Sequence, residues 1–261
     1  MASFSVMPNA HLHTILLRLL IALAVGTQML GQATASPMKS VVPFVGCKSD
    51  GQVGPLKAPK GESKRVDAPP DVTRRLAYYE VEGGLGALAP RGWFCFGTYG
   101  SSGTNLYLTP QPIDPKLLFS PSWKGFSGPA IQFSIVYGST SGRFGVARHI
   151  ARVFPAHSEF VGNVISEGTA PASDFPRGPY PSDKLVYKGT ESVEFETAAN
   201  AEGLGTDSRL LPGPDPIRGA NILVGADPDL LSLAVRLPAK DKDLVSTIIR
   251  QVDDQAATRK P

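Results

Sequence analysis

Groups that could hold a metal are the first thing this sequence lacks. Only 4 histidines and 2 cysteines occur in 261 residues, with no HExxH or CxxC spacing, and a zinc or redox site needs such groups close together. No metal and no cofactor is expected. Charge is scarce as well. Asp, Glu, Lys and Arg make up 19% of the chain, below the roughly 25% of an average soluble domain. The 26 bases nearly match the 23 acids, so nucleic acid, which calls for a basic patch or stripe, is not an expected partner. Glycine and proline are plentiful instead. Their 27 and 24 residues are about a fifth of the chain, where roughly 12% is usual, and this argues against a mostly helical bundle. A hydrophobic content of 42% without repeats or polar tracts excludes disorder and collagen. A loop-rich globular protein is left.

The segment Met1 to Ala35 holds no acid and one strong base, Arg18, followed by the apolar run Leu19 to Leu30 and then Ala33-Thr34-Ala35. This is the pattern of a secretory signal peptide cleaved between Ala35 and Ser36. The run after Arg18 is 12 residues long, short of the ~20 that span a bilayer, so no membrane span is expected after cleavage. A lipid anchor on Cys47, preceded by Phe44-Val45-Gly46, is disfavoured because Cys47 lies beyond Lys39 and far from the apolar run. The remaining 226 residues carry 25 bases and 23 acids, a net charge of about +2. In the oxidising compartment that export implies, Cys47 and Cys95 are expected to form a disulfide.

Period and punctuation predict an α+β fold of antiparallel hairpins in one or two sheets with a few amphipathic helices. Residues 36–70, rich in Gly, Pro and Lys, read as an extended arm with a short strand at Val41 to Gly46. Residues 71–252 read as the globular domain, with a subdivision near the prolines of 166–184 left open, and 253–261 as a flexible tail. Asp71 to Tyr79 carries Val72, Leu76 and Tyr79 at helical spacing, although Tyr79 and Val81 against Glu80 and Glu82 also alternate. Gly92 to Tyr99 and Thr104 to Thr109 form a hairpin around Gly100 to Gly103. Ile131 to Tyr137 is a strand that runs through Gly138-Ser139-Thr140-Ser141-Gly142 into a helix, Phe144 to Phe154. One half of that helix is apolar, and the other holds Gly145, Arg148, His149 and Arg152. Leu185 to Tyr187, Ser192 to Thr197, Asn221 to Val224 and Leu230 to Leu237 are further strands, and Lys240 to Val252 is a C-terminal helix.

Leu76-Ala77-Tyr78-Tyr79 and the stretch Ala89-Pro90-Arg91-Gly92-Trp93-Phe94-Cys95-Phe96-Gly97-Thr98-Tyr99-Gly100-Ser101-Ser102-Gly103 resemble a region of exported bacterial proteins that carry no assigned activity. The likeness extends loosely through Gly203-Leu204-Gly205-Thr206 and Val235-Arg236-Leu237-Pro238. It implies a bacterial, exported origin and no particular function.

The candidate binding residues are Arg148, His149 and Arg152 on one helix face, with Ser139 and Ser141 in the loop at that helix's N-terminus. Paired arginines recognise carboxylate and phosphate groups, so an anionic ligand of the bacterial envelope, or another envelope protein, is the expected partner. The loop is neither a phosphate loop, since Arg143 and Phe144 stand where Lys and Ser/Thr are needed, nor a nucleophile elbow, since Thr140 takes the central place. The alternative function is an envelope hydrolase using Ser139 or Ser141 with His149 or His157. Glu194 and Glu196, about 7 Å apart by strand rise, have the spacing of a glycosidase pair but also that of a wet strand face. Trp93, Phe94, Phe96, Tyr99 and Tyr107 offer either a sugar-stacking platform or a core. The favoured expectation is a non-catalytic binding protein, periplasmic or secreted.

Overall fold

The computed structural model describes residues 39–259. The expected signal peptide, with its boundary at Ala35 and Ser36, lies outside the described residues. In chain order the strands and helices are β1 (Lys39–Val42), β2 (Phe44–Cys47), β3 (Ser49–Gly51), β4 (Lys64–Asp67), α1 (Pro70–Thr73), β5 (Leu76–Val81), β6 (Gly86–Pro90), β7 (Phe94–Gly100), β8 (Gly103–Thr109), α2 (Pro115–Leu118), β9 (Ala130–Val136), α3 (Arg143–Val153), α4 (Ser158–Ser166), β10 (Asp183–Tyr187), β11 (Ser192–Thr197), β12 (Ile217–Val224), β13 (Asp229–Arg236) and α5 (Val245–Arg259). The architecture is α+β. An eight-stranded sheet runs β10-β11-β12-β13-β9-β8-β7-β3, beside a three-stranded sheet β2-β5-β6 and the pair β1-β4.

Alternation along the central strands decides what lies on each face of the large sheet. Leu106, Leu108, Ile131, Phe133, Ile135, Leu231 and Leu233 point one way, into a core completed by Leu88 of β6 and by Ile248 and Val252 of α5. Ala130, Leu230 and Ala234 point the other way, into a second core with Val146, Ile150 and Val153 of α3 and Val161 and Val164 of α4. The apolar half of α3 thus meets the sheet as its periodicity requires.

Four expectations change, and one question left open is answered. Only Pro70–Thr73 is helical at the start of the domain; Leu76–Val81 is a strand, covered on both faces between β2 and β6, so its apolar residues lose the simple alternation that marks a half-buried strand. Residues 39–67 are extended but not a loose arm, because β2 pairs in parallel with β5 and β3 with β7. Main-chain bonding makes those pairings, and it leaves no apolar period to read. Helix α4 stands where the sequence offered no element. The prolines near 166–184 do not divide the fold, since β9 pairs with both β8 and β13 and joins the two halves in one sheet. Finally, α5 continues to Arg259 in place of a flexible tail, with Ala256 buried and Gln255 Nε2 donating to Tyr78 Oη at 2.7 Å.

Cys47 and Cys95 are joined, with Cα atoms 5.5 Å apart, inside the 4.4 to 6.8 Å range a disulfide needs. The bond ties the end of β2 to β7. Among the described residues no helix is long and apolar enough to cross a membrane, and a disulfide is consistent with an oxidising, exported location.

Candidate ligand-binding cleft

The register of the central strands brings polar residues from separate strands into one row. Asn221 of β12 lies opposite Ser232 of β13, Ser232 opposite Ser134 of β9, Ser134 opposite Asn105 of β8, and Asn105 opposite Thr98 of β7. Paired residues share a face, and this face is the one that α3 covers. Ser134 Oγ donates to Asn105 Oδ1 at 2.7 Å, Gln132 Nε2 donates to Ser134 Oγ at 2.9 Å, and Asn105 Nδ2 donates to Thr98 Oγ1 at 3.1 Å. Asn221 is fully buried with neither amide atom hydrogen-bonded, and Ser232 Oγ has no partner among the described residues.

Asn105, Gln132, Ser134 and Ser232 form the floor of a cleft of about 340 Å³. One wall is the polar face of α3, with Arg148, His149 and Arg152; the facing wall carries Asp174, Tyr180 and Asp207. Arg148 is exposed and makes no hydrogen bond or ion pair among the described residues. Arg152 lies with Cζ 4.0 Å from the Tyr180 ring centroid and donates to Gly178 O at 3.2 Å. The Tyr180 hydroxyl donates to Asp207 Oδ1 at 2.8 Å. Burial, and next the Asp207 hydrogen bond, push the phenol up to about 12, so it stays a neutral donor at physiological pH. His149 Nδ1 is 3.0 Å from Gly145 O; a carbonyl can only accept, so Nδ1 is the donor of this contact. Arg148 is solvent-facing as the helix period requires, while His149 and Arg152 are half-buried, Arg152 against Gly178 and Tyr180.

Two loops hold the facing wall. Asp183 accepts from Thr197 Oγ1 at 2.6 Å and from Leu204 N at 3.0 Å, while Gly205 N donates to Thr197 Oγ1 at 2.9 Å. Burial raises the Asp183 carboxyl above its ordinary value against these two hydrogen bonds, which lower it. Gly203-Leu204-Gly205-Thr206 is thereby locked beneath Asp207. Arg236, 2% exposed, donates to the carbonyl oxygens of Gly128, Leu211 and Phe126. Phe126 N in turn donates to Arg209 O at 2.7 Å, and Arg209 N to Gln132 Oε1 at 2.7 Å. A continuous set of hydrogen bonds therefore runs from Arg236 to the cleft floor.

The loop Gly138 to Gly142 is a closed turn. Thr140 Oγ1 donates to Tyr137 O at 3.0 Å and accepts from Gly142 N at 3.1 Å, and Gly138 N donates to Asp229 Oδ1 at 2.9 Å. Ser139 and Ser141 are exposed, line no part of the cleft, and bond to neither histidine. His157 lies 3.8 Å from the Glu191 carboxylate and also outside the cleft. The structure brings Arg148, His149 and Arg152 together in one site and leaves the two serines and His157 apart from it. Glu194 is ion-paired with Lys188, and Glu196 with Lys184 and Arg218. Phe96 and Tyr107 are buried, and Tyr107 meets Trp123 and Phe126 edge-on or tilted at centroid distances of 6.4 and 5.7 Å. Phe94, by contrast, is exposed, and Trp93 and Tyr99 are half-buried, so the five hairpin aromatics are only partly enclosed. Among the described residues no group of three His, Cys, Asp or Glu side chains could hold a metal ion.

The floor residues, Asp174, Tyr180, Asp207 and Arg236 escaped the sequence reading. A signal for the floor was present. Gln132 and Ser134 alternate with Ile131, Phe133 and Ile135, and Asn105 and Ser232 interrupt apolar strands in the same way. Comparison with protein-family models, with curated proteins and with solved structures finds no match for this chain.

Proposed function

We propose that this chain is exported by a bacterium and acts in the periplasm or the medium as a non-catalytic binding protein, holding a small polar ligand in the α3 cleft. An anionic group of the ligand meets Arg148 and Arg152. One observation carries the reading: Arg148 has no partner among the described residues, at the mouth of a cleft whose floor is lined by amide and hydroxyl groups from three strands. Such convergence of polar groups in a concave site is what small-ligand recognition uses. The alternative of a hydrolase using Ser139 or Ser141 has no serine–histidine contact in its favour. Support for export comes from the Cys47–Cys95 bond and from the signal-like segment before Ser36.

Two experiments test the reading. N-terminal sequencing of exported material is expected to begin at Ser36; a chain that keeps Leu19 to Leu30 would contradict export with cleavage. A thermal-shift screen of small carboxylates, phosphate monoesters and α-amino acids is expected to give ligands whose effect disappears in Arg148→Ala with Arg152→Ala, at unchanged circular dichroism. Ligands that stabilise wild type and double variant equally, or a screen in which nothing stabilises the wild type, would overturn the binding site.

A further inference from the structure

The cleft carries both signs of charge, and the fold keeps them apart. Arg148 and Arg152 stand on α3, Asp174 and Asp207 on the facing wall, yet no ion pair joins either arginine to either aspartate among the described residues. Arginine and aspartate on facing walls would ordinarily close on one another. The spacer is Tyr180. Its ring lies 4.0 Å from the Arg152 guanidinium carbon, and its hydroxyl reaches Asp207 at 2.8 Å, so a phenol ring stands between the cation and the anion. The charged groups of Asp174 and Arg148 have no partner among the described residues. A simple anion in this cleft would meet the arginines and also two like charges opposite. A simple cation would have the reverse problem, and a neutral polyol would use neither set of charges.

Resting on the binding function proposed above, we propose that the ligand is a zwitterion with a carboxylate and an ammonium on one small frame: a free α-amino acid or a dipeptide with both ends unblocked. Its carboxylate faces Arg148 and Arg152, its ammonium faces Asp174 and Asp207, and the atoms between lie on Ser134, Asn105 and Ser232. The volume agrees with this size. About 340 Å³ holds roughly eleven waters at ~30 Å³ each, which suits a molecule of this kind and not a folded segment.

The test uses isothermal titration of the exported protein with free α-amino acids and dipeptides, each retested as its N-acetyl and its C-terminal amide derivative, beside inorganic phosphate. Blocking either end is expected to weaken binding at least about tenfold, since each removes a charge-assisted contact. Asp174→Asn with Asp207→Asn is expected to weaken the zwitterion by a similar factor and to leave the N-acetyl derivative unchanged or tighter. If N-acetylated compounds or phosphate bind as well as the free zwitterion, the zwitterion assignment falls while the anion site stands. Failure of every compound, charged at one end or both, would overturn the anion site as well.

Discussion

Arg236→Met removes the guanidinium that ties two loops to the end of β13 while keeping an apolar stem of similar length. The arginine donates four hydrogen bonds to three carbonyl oxygens, two of them to Gly128. Their losses are unequal. Phe126 O still accepts from Leu211 N at 2.9 Å, and Gly128 is exposed, so its carbonyl can turn to water. Leu211 O, half-buried, is left without the side-chain donor, which costs about 1 to 3 kcal/mol. Lost tethering of the Phe126 to Gly128 loop adds about 1 kcal/mol, the usual net worth of one intramolecular hydrogen bond. Against this, the buried cation no longer has to be desolvated, an expense that already holds its pKa below the ordinary value. A net loss of about 2 to 3 kcal/mol is expected, or roughly 5 to 10 °C in Tm for a chain of this size. Urea unfolding measures it, and amide exchange should quicken at Phe126 and Leu211. Arg236→Lys is expected to recover only part of the loss, because an ammonium cannot span three carbonyls. A Tm shift below about 2 °C would show that the arginine does not hold these loops.

Other changes have firm signs. Replacing both cysteines by serine, or reducing the bond, opens a cross-link over a separation of 48 residues and is expected to cost up to about 4 kcal/mol, read as a lower urea midpoint; an unchanged midpoint would show the bond to be energetically idle. Gly142→Ala would bring a Cβ within 2.4 Å of Ser102 O and 2.6 Å of Tyr137 O, so a loss of about 1 to 3 kcal/mol is expected. Gly162→Ala in α4, where nothing lies within 4 Å, is expected to gain about 0.5 to 1 kcal/mol; calorimetry that ranked the two the other way would contradict the packing described. Asp183 has a raised pKa in the fold, so between the ordinary carboxylate value and the raised one the folded chain holds a proton that the unfolded chain has released. This group therefore lowers stability as pH rises through that window and restores it on acidification. Asp183→Asn should remove that part of the pH dependence of the urea midpoint, and an identical profile in the variant would refute the assignment.

The β7–β8 hairpin and the helices α3 and α5 were legible because their signals are local, whereas α4 and the strand β5 were not. The strand Phe94–Gly100, its turn and the strand Gly103–Thr109 lie where aromatic, β-branched and Gly-Ser residues put them, and the apolar half of α3 faces a core as its period demands. The short strand read at Val41 to Gly46 overlaps β2, but β3 and the parallel partners of both strands were not legible, since parallel pairing over three or four residues depends on partners far along the chain. The site divides in the same way. Arg148, His149 and Arg152 share a face by helical period alone, whereas Asn105, Ser134 and Ser232 come from strands separated by up to a hundred or more residues and meet only through sheet register. Each polar residue taken singly reads as a wet strand position. Asp174, Tyr180 and Asp207 sit in Pro-rich and Gly-rich loops, where no period exists.

The central claim is that the cleft between α3 and the polar row of the sheet is where this protein binds its ligand. The most direct test is a nuclear magnetic resonance titration of the isotope-labelled protein with the tightest compound from the amino acid and dipeptide series. The expected shifts fall on the side-chain amides of Asn105 and Gln132, the amides of Ser134 and Ser232, and the guanidinium groups of Arg148 and Arg152. Shifts gathered instead around Leu117, Trp123 and Phe126, which line an apolar cavity of about 300 Å³, with Asn105, Gln132 and α3 unmoved, would contradict it.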